Sequence, residues 1–99
     1  MDKMNFSILL LALDIEFIIL FGNKSNLSND IDLLIISNDF KLMYSAKRVQ
    51  YVKKYLHCDK KLDLICVTSD EYERMMEYPT KFSKQIIKNG EIIYGKYKE

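Results

Sequence analysis

The sequence is poor in the residues that build disulfide-linked or metal-held scaffolds. It contains two cysteines, Cys58 and Cys66, and a single histidine, His57. This set matches neither a disulfide framework nor a cysteine–histidine metal site, because both need more partners at regular spacing. Cys66 lies within an apolar run, where we expect a small core residue. The two thiols favour a reducing, intracellular setting, and His57 is expected at the surface.

An excess of charge of either sign is also missing. Fifteen lysines and arginines stand against fourteen acidic residues, which gives a formal net charge of +1. Such a balance provides no electrostatic reason to expect binding to nucleic acid or to a membrane surface. The basic pairs Lys47–Arg48, Lys53–Lys54 and Lys60–Lys61 are interpreted as solvated faces.

The sequence has no uninterrupted apolar stretch long enough to suggest a membrane span. The run "FSILLLALDIEFIILFG" contains Asp14 and Glu16, each of which would cost about 2.5–3.5 kcal/mol at a bilayer centre. No small-residue cleavage pattern follows it. We therefore expect a buried helix followed by a buried strand, with the cytoplasm as the default location.

The apolar patterns predict one small domain, residues 1–99, of mixed α/β (α+β) class. The loop between the first two strands is too short for a helical crossover, so these strands should be antiparallel neighbours in a mixed sheet. The predicted elements are a helix over 3–13, a strand over 15–21, a polar loop over 22–29, a strand over 30–37, a helix over 40–56, a strand over 62–67, a helix from 68 that Pro79 ends, a helix over 80–88 and a last strand in "EIIYGK".

The helix predicted over 40–56 carries two sets of residues at helical spacing. Its expected buried stripe is Leu42, Ala46, Val49, Val52 and Leu56. The tyrosines Tyr44, Tyr51 and Tyr55 are expected to serve packing or an interface.

Acidic residues open two of the predicted strands. Asp30 and Asp32 are two residues apart, so their side chains leave the same face of a strand, with about 6.6 Å between their Cα atoms. Two carboxylates this close repel one another unless a cation lies between them. Magnesium prefers such oxygen ligands and is often shared with substrate phosphates. Asp63 opens the third strand and would face the same pocket if the second and third strands were adjacent.

A simpler interpretation of these aspartates stays open. The first residue of a strand is often solvated, and one Asp-x-Asp pair is a weak motif by itself. The glycine-polar loop before Asp30 and the third acid at Asp63 favour a functional site.

Taken together, "LFGN…NDIDLLIIS…LDLICVT" resembles the DNA polymerase beta-type nucleotidyltransferase superfamily, and within it the small prokaryotic minimal nucleotidyltransferases. The tail "VTSDEYERMMEYPTKFSKQIIKNGEIIYG" is similar to the end of such proteins. The resemblance spans about Ile15 to Gly95. It implies a polymerase beta-like fold and transfer of a nucleoside monophosphate, with AMP from ATP as the leading case, to a protein or small-molecule hydroxyl.

The resemblance also assigns roles to residues of this chain. Asp30 and Asp32 would be the metal-binding pair, and Asp63 would be the third carboxylate, which activates the acceptor hydroxyl. Two Mg²⁺ ions and ATP or another nucleoside triphosphate are the implied cofactor and substrate. Gly22 and Asn23 would meet the triphosphate through backbone N–H groups, and Lys24 could reach a phosphate as a point charge.

Many small members of that superfamily are encoded with a helical HEPN-type toxin that they neutralise by binding or by adding AMP to a tyrosine. This chain departs from the family pattern at Asn23, which replaces a serine, and in the loop before Asp30, which is shorter by roughly one helical turn. A second hypothesis is therefore a binding module of the same fold, with little or no catalysis, that neutralises or scaffolds a partner protein. A homo-oligomer also stays open.

Overall fold

The computed structural model describes residues 4–21 and 30–96, which fold into a mixed sheet covered by helices on both faces. The predicted class and order of elements are confirmed. None of the helices in these two ranges has the length and apolar character needed to cross a membrane. In chain order the elements are α1 (Ser7–Ala12), β1 (Ile15–Phe21), β2 (Asp30–Ser37), a 3₁₀ helix (Asn38–Leu42), α2 (Ser45–Tyr55), β3 (Lys61–Val67), α3 (Ser69–Glu77), α4 (Lys81–Asn89) and β4 (Glu91–Gly95).

The strands lie in the order β3-β2-β1-β4. As predicted, β1 and β2 are antiparallel; β1 is also antiparallel to β4, whereas β2 and β3 are parallel. β1 and β2 occupy the centre, which suits apolar runs that must be covered on both sides. Against β4 the ladder is irregular: Ile18 pairs with Tyr94 but Ile19 pairs with Ile92, so Ile93 is an extra residue in β4.

Each face of the sheet has its own apolar cluster. The face covered by α1 and α2, which we call the α1–α2 face, packs Ile18, Leu33 and Ile35 against Leu9 and Val52. The opposite face, the α3–α4 face, is built from fewer fully buried residues. These are Ile19, Phe21, Leu34, Ile36 and Ile86, with Tyr72 and Met75 of α3 packed against them. Because successive side chains alternate between faces, the residues with even numbers in β2 belong to the α3–α4 face.

A group of hydrogen bonds joins the start of β1 to the end of β2. Ser37 is fully buried, and its hydroxyl donates to the backbone oxygen of Asp14 at 2.8 Å while accepting from the backbone N–H of Asp39. The Asp39 carboxylate in turn accepts from the backbone N–H of Asp14 at 2.8 Å. We call this group the Ser37 lock. It fixes β2 relative to β1 at the end of the sheet opposite to Asp30.

The helix predicted over 40–56 is broken in two, and part of its predicted stripe is wrong. The 3₁₀ helix ends at Leu42, and α2 begins at Ser45. Leu42 is 97% exposed and Ala46 is also exposed, whereas Val52 and Leu56 are buried as predicted. Ser37 caps the 3₁₀ helix. Because this short helix is separate from α2, the side chain of Leu42 leaves the backbone in a different direction from the one that a continuous helix would give it.

Arg48 is the largest correction to the sequence interpretation. Its basic pair was expected to be solvated, but only its neighbour Lys47 is exposed, while Arg48 is buried. The guanidinium donates to the backbone oxygens of Met43 and Cys66 and makes two hydrogen bonds to the Glu71 carboxylate, the shorter at 2.7 Å. Arg48 therefore lies in the interior instead of on a solvated face, and it joins α2, β3 and α3.

Glu71, the partner of Arg48, belongs to the N-terminal cap of α3. Thr68 accepts a hydrogen bond from the backbone N–H of Glu71, and Glu71 accepts one from the backbone N–H of Thr68, which together form a capping box at the start of α3. The hydrogen bonds from Arg48 lower the pKa of Glu71, and burial opposes them only in part. The predicted hydroxyl cap of α3 is confirmed, and Arg48 extends it to the sheet.

The position just after α4 is crowded by the last turn of that helix and by β1, so that only glycine fits there. A Cβ atom on Gly90 would lie 2.4 Å from the backbone oxygen of Ile86 and 2.9 Å from the side chain of Ile19. The predicted closure of this helix by glycine is confirmed, and its main cause is the backbone of the last turn of α4, with the side chain of Ile19 in β1 as the second contact. This contact helps to fix α4 over the α3–α4 face.

We predict that Arg48→Met destabilises the protein by about 3 kcal/mol, because it leaves the Glu71 carboxylate and a buried carbonyl without their donor. The free energy of unfolding of Arg48→Lys should lie between those of the wild type and of Arg48→Met, since lysine keeps the charge but lacks the planar set of donors of arginine. Urea unfolding followed by circular dichroism measures the difference. The matched control is Lys47→Met, which changes an exposed neighbour and should shift the free energy of unfolding by less than about 0.5 kcal/mol. Equal effects at the two positions would contradict the assigned role of Arg48.

Candidate functional site

The three predicted aspartates lie on one face at one end of the sheet. In the parallel pair of β2 and β3, Asp32 is paired directly with Asp63. The next residues of the same parity, Leu34 and Ile65, belong to the cluster on the α3–α4 face, so Asp32 and Asp63 leave the sheet on that face too. Asp30 is two residues before Asp32 and shares its parity. The structure thus places the three acids that the sequence singled out on one face of the sheet and pairs two of them, Asp32 and Asp63, directly.

Asp32 is the electrostatic centre of this group. Partial burial raises its pKa above the ordinary value, and the negative charge of Asp63, a hydrogen bond to Asp63 and the charge of Asp30 raise it further. The stronger partner of Asp32 is therefore Asp63, across the strands, rather than Asp30 along its own strand. Like charges this close favour either protonation of one carboxylate or binding of a cation between them.

Lys61, which lies with Asp63 on β3, partly offsets the negative charge of the aspartates. Lys61 is paired with Asp30 in the ladder, and its Nζ atom lies 4.0 Å from Oδ1 of Asp63. The side chains of Lys61 and Asp63 are 71% and 48% exposed, so water screens this contact and it contributes little.

The donor set suits a hard divalent cation such as Mg²⁺, which prefers carboxylate oxygens and keeps several waters. Within residues 4–21 and 30–96, however, no three His, Cys, Asp or Glu side chains are grouped closely enough to surround a metal ion. Asp32 and Asp63 are the two that would hold such an ion, with Asp30 beside them. A magnesium ion needs no more than one or two protein carboxylates when substrate phosphates and water complete its shell.

The predicted phosphate-binding residues cannot be compared with this geometry. Gly22, Asn23 and Lys24 lie outside the described residues, so their roles stay predictions. The loop that contains them starts after Phe21 and ends before Asp30, and both of these residues lie at the acidic end of the sheet.

Phe21 lies beside the candidate site, although the sequence alone did not predict a role for it there. Phe21 pairs directly with Asp32 in the antiparallel ladder and is buried on the α3–α4 face. Phe21, Asp32 and Asp63 therefore form one row across β1, β2 and β3. The available signal was the short loop after Phe21, since a hairpin places the residues at its two ends side by side.

The remaining polar candidates do not extend the site. Cys66 is buried as predicted, and this burial raises the pKa of its thiol to about 12 although the charge of Arg48 opposes the rise. A thiol that stays protonated is a poor nucleophile. His57 is exposed, as expected, and Tyr51 and Tyr55 pack against the cluster of the α1–α2 face.

No protein-family model, no curated protein and no solved structure matches this chain. The case for a function therefore depends on the geometry of the aspartates and their surroundings.

We predict that Asp32→Asn stabilises the protein at pH 7. Folding raises the pKa of Asp32, so the folded state favours the protonated carboxyl, and the contribution of Asp32 to stability declines as the pH rises through that pKa. The ionised side chain opposite Asp63 should cost about 0.2–1 kcal/mol, which asparagine removes. Unfolding in urea at pH 7 and at pH 3 measures the gain, which should vanish at pH 3, below the ordinary pKa of 3.8.

The matched control for this prediction is Asp70→Asn. Asp70 is exposed in the first turn of α3, where its charge favours the helix, so the control should lower stability instead. Asp63→Asn should also stabilise, and the double variant should gain less than the sum of the single ones because each removes the same repulsion. A loss of stability in Asp32→Asn at pH 7 would contradict the assigned repulsion.

Proposed function

We propose that this chain is a metal-dependent nucleotidyltransferase that moves a nucleoside monophosphate, with AMP from ATP as the leading case, to a hydroxyl of a protein or small molecule. The observation that carries the proposal is the pairing of Asp32 with Asp63 across β2 and β3, with Asp30 on the same face. Carboxylates on separate strands that converge and repel one another are the arrangement that phosphoryl-transfer sites use.

The chemistry asked of the protein is positioning and proton transfer. The acceptor oxygen attacks the α-phosphorus, the bond from that phosphorus to the bridging oxygen of pyrophosphate breaks, and pyrophosphate leaves. Asp63 takes the proton of the acceptor hydroxyl. Bound Mg²⁺ would supply neutralisation of the phosphate charge, held by Asp32 and Asp63 with Asp30 beside them. Its arrival would also remove the repulsion that raises the pKa of Asp32.

Residues 4–21 and 30–96 form one sheet covered by helices, and a protein acceptor would be supplied by a partner that binds to this domain. In line with the resemblance to minimal nucleotidyltransferases, we propose a helical HEPN-type protein as this partner, in a toxin–antitoxin pair. Both cysteines are free thiols, which is in keeping with a reducing compartment such as the cytoplasm.

A binding module without catalysis is the second candidate. It is favoured by the lack, among the described residues, of three metal-binding side chains close enough to enclose an ion. In that case the aspartates would serve only as a charged surface, and the chain would act by binding its partner.

We predict that ATP binds to the protein with heat release in the presence of Mg²⁺, and that Asp32→Asn and Asp30→Asn abolish this signal. Asp32→Asn removes a negative oxygen ligand and Asp30→Asn removes a negative charge beside the ion, so the ion and the phosphates it carries lose affinity together. Titration calorimetry at neutral pH measures the binding, and pyrophosphate release in the presence of the proposed helical partner tests transfer. The Mg²⁺ ion alone should raise the melting temperature of the wild type but not that of Asp32→Asn.

Asp70→Asn is the control for binding, since Asp70 follows the far end of β3 and should leave the heat signal unchanged. No signal with any nucleotide at high concentration with Mg²⁺ would refute the transferase and leave the binding module. Binding without pyrophosphate release in the presence of the partner would point to an inactive nucleotide-binding protein.

A further inference from the structure

An exposed aromatic ring stands beside the acidic end of the sheet. Phe82 is the second residue of α4, and 44% of its surface is open to solvent. Its ring meets Phe21 edge to face, with 5.7 Å between the ring centroids and 86° between the planes. The pair fixes the orientation of Phe82, and such a contact is worth about 0.5–1.5 kcal/mol beyond the area that it buries.

Phe21 connects this ring to the aspartates. Phe21 pairs with Asp32 across the antiparallel strands, where opposite Cβ atoms lie about 5 Å apart on the same face. The contact from Phe21 to Phe82 adds 5.7 Å between ring centroids, so the ring of Phe82 lies on the order of 10 Å from Asp32. A ribose with its phosphate chain bridges a separation of this order.

The charges of α4 add an independent observation. The helix sequence KFSKQIIKN contains three lysines and no acidic residue, in contrast to the three aspartates across the sheet. Lys81 and Lys84 are exposed on either side of Phe82 in the chain. An apolar ring on a helix of net positive charge, next to carboxylates that attract a metal ion, matches a ligand with a flat ring and several negative charges. A nucleotide has both.

We propose that Phe82, held by Phe21, is the surface on which the base of the nucleotide stacks. The proposal rests on the nucleotidyltransferase function proposed above and adds the base subsite to it. A phenyl ring has no hydrogen-bond donor or acceptor, so it selects by the area of the stacked ring alone. The site therefore prefers purine to pyrimidine nucleotides and discriminates weakly between adenine and guanine.

The test uses the lack of tryptophan in the natural chain. Phe82→Trp introduces a single tryptophan at the proposed subsite, which can be excited selectively at about 295 nm, beyond most tyrosine absorption, and its emission should be quenched when ATP binds in the presence of Mg²⁺. Ile87→Trp is the matched control, because Ile87 is exposed on the same helix, one turn and a residue further along. Its emission should stay unchanged. Saturating ATP that leaves the Phe82→Trp emission unchanged would overturn the proposal.

A second variant measures the affinity. Phe82→Leu keeps an apolar side chain against Phe21 but removes the stacking surface, so it should weaken ATP binding about ten-fold or more. The affinity for inorganic tripolyphosphate with Mg²⁺ should not change, because that probe has no base. Circular dichroism and urea unfolding verify that the variant is folded.

The two proposals fail in different ways. If the wild type binds neither ATP nor tripolyphosphate with Mg²⁺, the transferase proposal falls and the base subsite falls with it. If the wild type binds both probes with equal affinity and Phe82→Leu changes neither, the stacking role is wrong while the metal and phosphate site stands. A stronger affinity for CTP than for ATP or GTP would also overturn the stacking role.

Discussion

The geometry of the candidate site depends on the register of β2, and the apolar part of β2 does not set that register. Leu33 to Ile36 are buried on both faces of the sheet, so a shift by one residue would still bury four apolar side chains. The Ser37 lock removes this freedom, because a buried hydroxyl that both donates and accepts fits only one alignment of β1 and β2. Asp32 consequently faces the α3–α4 side, opposite Phe21. A slip by one residue would turn its carboxylate to the other face.

Much of the fold follows from the sequence because its strands are short, apolar and bounded by polar loops. The ends of β1 and β2 match the predicted ranges, and the parity of Asp30 and Asp32 already predicts that they share a face. Arg48 could not be foreseen, since its partner Glu71 is 23 residues away and local periodicity contains no information about such a contact. Phe82 was missed for the same reason: its position beside the acids arises from the return of α4 over β1. The residues at 22–24 lie outside the described ranges, so their predicted phosphate contacts stay predictions.

The charges at the acidic end of the sheet are arranged in the opposite way to those around Arg48. At Arg48 every charge has a partner: a buried guanidinium meets a carboxylate whose pKa is lowered. At Asp32 like charges adjoin and the pKa is raised. The first arrangement favours folding and the second opposes it. A protein that keeps an unfavourable cluster of charges while satisfying its buried polar groups elsewhere concentrates its strain where a ligand could relieve it.

The extra residue Ile93 has a consequence for association between molecules. In the described part of the chain β4 is an outermost strand, and Ile92 and Ile93 are 50% and 38% exposed. A straight, apolar edge strand of this kind would let strands of other molecules pair with it edge to edge, which is how fibrils grow. The bulge at Ile93 interrupts the regular spacing of backbone groups that such growth needs.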